Sequence, residues 1–111
     1  MPIPGDTTAP KFATGSDADD GDYTTALVAA VTGRKIRVLS LTASVLTTAG
    51  VFSLKSASTT IFQAHLALGV PLIVGMAGVP VCETATGEAL LASNAAGVDS
   101  FVNITYTEVT P

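Results

Sequence analysis

The chain has no tryptophan, one cysteine, one histidine and five basic residues among its 111. Each scarcity removes a class of chemistry. A lone Cys82 rules out an intramolecular disulfide, and within an apolar run it reads as a small buried hydrophobe. One histidine and one cysteine, seventeen positions apart, cannot build a zinc site of the His/Cys kind. A nucleophile activated by a histidine would need His65 as its base. His65 lies between Ala64 and Leu66 in an apolar strand and reads as structural or surface, so no catalytic set can be assembled. No glycine-rich phosphate loop is present either. Gly15-Ser16 is followed by acids, and Gly33-Arg34-Lys35 lacks the rest of a Walker pattern. We therefore expect a non-enzymatic protein without cofactor or metal.

Charge is scarce as well. Charged residues make up 13% of the chain, against about 25% in an average soluble domain. A surface this poor in charge predicts cover by something other than water, most simply copies of itself or a large assembly. The net charge is −4, and there is no basic stripe, which excludes a nucleic-acid binder. Glu, Lys and Arg, which sustain exposed helices, are few. From Ser56 to Cys82 no residue is acidic or basic, but Gln63, His65, Pro71, Pro80 and three glycines cut the run into short pieces. A membrane-spanning helix needs about 20 mostly apolar residues, so the segment reads as strands and turns with no membrane partner. The start, Met1 to Asp6, lacks the basic and apolar regions of a secretion signal, which predicts assembly in the cytoplasm.

What remains is rich in Ala, Thr, Val, Gly and Ser, and hydrophobic residues reach 48%, ample for one core. Thr and Val suit a pleated surface. Residues 1–22 read as an extended arm: Pro2, Pro4 and Pro10 stiffen it, and the run from Gly15 to Asp22 reads as loop. The arm holds five aspartates against Lys11, so it carries all of the net charge. Ile3 and Pro4, with Phe12, are its candidate anchors on a neighbour.

Residues 23–111 read as the domain. Strands are expected at Tyr23–Val31, Lys35–Leu46, Val51–Lys55, Thr60–His65, Pro71–Val74, Val79–Glu83, Ala89–Ser93 and Phe101–Val109. Their alternation puts Ile36, Val38, Ser40, Thr42 and Ser44 on one face, with Lys35, Arg37, Leu39, Leu41, Ala43 and Val45 on the other. In the last strand Val102, Ile104 and Tyr106 oppose Phe101, Asn103, Thr105 and Thr107. The proline-bearing strands belong at edges. Seven or eight short antiparallel strands with turns between them predict an all-β sandwich, jelly-roll-like, with an N-terminal arm.

Two clusters carry charge. Asp17, Asp19, Asp20 and Asp22 resemble the start of a calcium loop, but the twelfth position, where a bidentate glutamate belongs, is Val28. The run reads as a solvated acidic turn, with a looser calcium site as the alternative. Arg34, Lys35 and Arg37 form the basic cluster. It reads either as a solvated strand start or as a contact for an acidic surface, such as the arm of a neighbouring copy.

Three segments carry a resemblance: Val31-Thr32-Gly33-Arg34-Lys35-Ile36-Arg37-Val38-Leu39-Ser40-Leu41, Glu83-Thr84-Ala85-Thr86-Gly87-Glu88-Ala89-Leu90 and Val102-Asn103-Ile104-Thr105-Tyr106-Thr107-Glu108-Val109. Together they resemble small β-sandwich virion proteins of tailed bacteriophages, over about residues 23–109. Capsid decoration (cement) proteins are the most similar in size and in pairing a β domain with an arm. The resemblance implies a structural protein on the outer capsid surface of the virion, a homotrimer, and the major capsid protein as partner. It transfers no binding residue by position. Tail, fibre or head–tail components, and a carbohydrate- or ligand-binding β module, remain alternatives.

Overall fold

The computed structural model describes residues 9–18, 23, 26–75, 79–95 and 98–110, with 17 and 18 described in backbone only. Eight strands run in chain order: β1 Lys11–Ala18, β2 Lys35–Val45, β3 Gly50–Ser56, β4 Thr59–Leu66, β5 Leu72–Gly75, β6 Cys82–Glu83, β7 Leu90–Asn94 and β8 Asp99–Val109. They form two antiparallel sheets. The larger has the order β1-β8-β2-β5, with β6 also beside β2, and the smaller has the order β4-β3-β7. This is the expected all-β sandwich, and β5 and β6 lie at an edge beside β2, with Pro71 and Pro80 just ahead of them rather than within them.

The inward faces of both sheets share one core. Val38, Leu41 and Ala43 of β2 and Val102 and Ile104 of β8 meet Phe52 and Leu54 of β3, Leu66 of β4 and Leu90 of β7. Each is almost fully shielded from solvent. Burying one such side chain contributes about 1.5–3 kcal/mol, so this cluster is the main support of the fold.

Three sequence expectations fail, each for a physical reason. First, Gly15 to Ala18 is strand rather than loop. β1 pairs with β8 along its whole length, from Lys11 opposite Tyr106 to Ala18 opposite Asp99. A neighbouring ladder supplies hydrogen bonds that local propensity does not favour. Second, Tyr23–Val31 is not a strand among its described residues. Only Val28 forms a bridge, to Leu90. The Tyr23 amide donates to the Ala92 carbonyl at 2.9 Å, so this segment flanks β7. Third, the faces of β2 invert halfway. Ile36 and Val38 are buried, then Leu41, Ala43 and Val45. A bulge between Val38 and Ser40 inserts Leu39 as an extra residue, which shifts every later side chain to the other face. Burial along β8 changes phase at the same level, from Ile104 to Thr107.

Polar links join β8 of the large sheet to β7 of the small one and extend the β2–β6 edge of the large sheet. The Tyr23 hydroxyl and Ser100 Oγ are 2.9 Å apart, and Ser100 also donates to Asn94 Oδ1, so β8 is tied to β7 through buried groups. Ile36 N donates to Thr84 Oγ1 at 2.9 Å, and Thr84 N to the Ile36 carbonyl at 2.9 Å. Close approach fixes two glycines. A Cβ at Gly15 would lie 2.7 Å from Leu27 Cδ2, and one at Gly50 would collide with Val98 Cγ2.

Candidate interface

Residues opposite one another in a ladder share a face. The registers of the large sheet therefore define its outward side in three rows. The first is Phe12, Thr105, Ser40 and Gly75; the second is Thr14, Asn103, Thr42 and Ile73; the third is Ser16, Phe101 and Ser44. None of these eleven residues is charged. Phe12 is 80% exposed and Ile73 74%, although both are large and apolar. Beside Ile73 lies a cleft of about 560 Å³ lined by Leu39, Ser40, Thr42, Val79 and Pro80 and, as its one charged residue, Arg37. The bulge is what turns Leu39 towards this cleft. The whole face can make apolar and hydroxyl contacts, and it carries no group that could move a proton at neutral pH.

The basic cluster sits at one end of this sheet. Glu108 receives Lys11 Nζ at 3.0 Å and Arg34 Nη1 at 3.6 Å. Glu83 pairs with Arg37 Nε and, at 4.0 Å, with Lys35 Nζ. Arg34, Lys35 and Arg37 thus have acidic partners within their own chain, from strands remote in sequence. Exposed pairs of this kind contribute about 0–1 kcal/mol each. In these pairs four cations share two glutamates.

Of the candidate partner-binding residues, Phe12 lies on the outward face, and Arg34, Lys35 and Arg37 lie at its end. Ile3 and Pro4 lie outside the described residues, as do Asp19, Asp20 and Asp22 of the acidic run. Among the described residues no three His, Cys, Asp or Glu side chains gather as a metal-binding group, and no helix is long and apolar enough to cross a membrane. His65 is exposed on β4, opposite Val51. Cys82 is half-buried opposite Val38, and burial, with the Glu83 charge second, pushes its thiol from 9.0 up to about 11.

Sequence reasoning missed Leu39, Ile73, Val79 and Pro80. Alternation flagged Ile73 as one residue of a short edge strand, but only the ladder register shows that it faces outward beside Val79.

No protein-family model matches the chain, and no curated protein matches it. Among solved structures, the chain is similar to a chain of the cyanophage Pam1 capsid asymmetric unit. The two are 23% identical, with all of this chain and 91% of the other covered, and the TM-score is 0.44.

Proposed function

We propose that this chain is a non-enzymatic structural subunit of a phage virion, a capsid decoration protein that docks on the major capsid protein and clamps neighbouring subunits. The observation that carries this reading is the uncharged outward face of the large sheet. Flat sheet faces exposed to water normally alternate apolar-in with polar or charged out. Here the outward half of the pattern is Thr, Ser, Asn and Gly around exposed Phe12 and Ile73. Large apolar side chains left bare on a face without charge suit contact with a partner.

The choice of a virion rests on the three resembling segments. They lie on β2, on the β6–β7 connection and on β8, and the first and last are hydrogen-bonded neighbours. Self-association is part of this reading. The form that the resemblance implies for it is a homotrimer.

Co-sedimentation with expanded empty capsids of the phage that carries the gene tests the reading. Saturable binding to capsids is expected. Binding to isolated tails or to immobilised glycans, with none to capsids, would overturn it in favour of the tail or carbohydrate alternatives.

A further inference from the structure

β1 is an edge strand of eight residues, with β8 on one side and no described strand on the other. It pairs only with β8, and no described backbone group bonds to its outer edge. Natural sheets usually blunt such an edge with a mid-strand proline, an inward charge or a bulge. β1 has none of these between Phe12 and Ser16, and its register with β8 is unbroken. Its charges stand near its two ends, Lys11 at one and Asp17 at the other.

We propose that β1 pairs antiparallel with β1 of a second copy about a two-fold axis through Thr14, joining the two large sheets into one. Three constraints select this register. The outward faces must match, so even-numbered residues must oppose even-numbered ones. Two registers that satisfy this pair seven residues, 11 to 17 centred on Thr14 and 12 to 18 centred on Gly15, and the charges select the first. It places Lys11 opposite Asp17 of the other copy, twice over, with no like charges opposed. The lysine ammonium has three donors, so its bond to Glu108 within the chain is compatible with a second partner.

The side chains fit this arrangement. Thr14 meets Thr14 across the axis, a favourable cross-strand pair. Ser16 stands between Phe101 of its own chain and Phe12 of the other copy. Strands are about 4.8 Å apart, so both rings can lean over the small serine. Phe12, largely exposed in the single chain, gains cover on the outward face. The pairing is two-fold, where the resemblance implies a trimer, and it does not depend on the virion reading.

Light scattering on the full chain over a concentration series, at low salt, tests the pairing. The wild type should be dimeric. Asp17→Lys should raise the dissociation constant about tenfold, since two attractions become two repulsions. The double swap Lys11→Asp with Asp17→Lys should return it to near the wild-type value. A monomer at all concentrations, or an oligomer indifferent to Asp17→Lys, would overturn the proposal. Register is read separately by mild oxidation. Thr14→Cys should form a disulfide-linked dimer, because facing Cα atoms in a ladder lie within disulfide reach. Ser16→Cys should not, because its counterpart is four residues away along the strand. Equal cross-linking at both positions would also overturn it. Neither readout involves capsids, so failure here is distinct from failure of capsid binding.

Discussion

The two sheets bury similar inward faces and present different outward ones. On its outward side the small sheet sets Val51 beside exposed His65, a buried Ser53 between exposed Gln63 and half-buried Ser93, and Lys55 beside Leu91. Gln63 Nε2 donates to Ser53 Oγ at 3.4 Å, so this face also satisfies its own polar groups. The large sheet shows three rows without a charge and leaves Phe12 and Ile73 bare. Burial in a shared core explains the inward half of each strand's alternation. It says nothing about the outward half, where the two sheets part. The small sheet completes the core and faces solvent, while the large sheet has one face in the core and one free for a partner.

The comparison breaks first if the inward faces are not the common support. Phe52, from the small sheet, is fully buried and packs edge-on to Tyr23, with ring centroids 6.3 Å apart at 67°. Phe52→Ala should lower unfolding free energy by about 3–5 kcal/mol in urea titration, through lost burial and an unfilled cavity. A loss below about 1 kcal/mol would show that the sheets hold without this contact. Next comes the polar tie. Tyr23→Phe removes the hydroxyl beside Ser100 and should cost about 1–3 kcal/mol, since a buried partner loses a bond. Ser100 keeps Asn94 as acceptor, which favours the lower half of that range.

How much of this was legible in the sequence differs between the same two regions. β2, β3, β4 and β8 follow from period-two alternation, because their inward residues are apolar and bury in one core. The outward face was less visible. Leu39 belongs to it only because a bulge reverses the phase of β2, and a bulge of one residue leaves no mark in composition. β1 was read as loop past Thr14, since glycine, serine and aspartate favour turns. Its strand exists because β8 offers a ladder. The partners of Arg34, Lys35 and Arg37, namely Glu83 and Glu108, become neighbours only once β6 and β8 flank β2. Sequence distance hides such pairs. Tyr23 was placed in a strand for its apolar followers, yet its amide and hydroxyl serve β7 and β8 instead.

Cys82 sharpens the inward side of the comparison. It pairs with Val38, a core residue, so its thiol shares the protected face of the large sheet. With its thiol pushed up to about 11, alkylation by iodoacetamide at pH 8 should be far slower than for a free cysteine, which ionises near 8.5. A raised folded value also gives stability that is present below the unfolded value and lost as pH climbs from about 9 to about 11. Cys82→Ala should flatten that part of the stability profile. Labelling at the rate of a free thiol would place β6 outside the protected layer.

The smallest effect on stability gives the most direct contrast between the sheets. Ile73→Lys places a charge on the outward face of the large sheet, and His65→Lys places one on the outward face of the small sheet. Both positions are exposed, so each change should leave unfolding free energy within about 0.5 kcal/mol of the wild type. Their effects on capsid co-sedimentation should diverge. His65→Lys alters a face already polar and should bind as the wild type does. Ile73→Lys adds a second cation to the cleft that Arg37 also lines, on a face where docking would strip its water, and should abolish binding. Equal binding by both variants would mean that the uncharged face is not the docking surface. Equal loss would mean that the sheets do not divide the work between core and partner, because a charge on the solvent side would then matter as much as one on the free side.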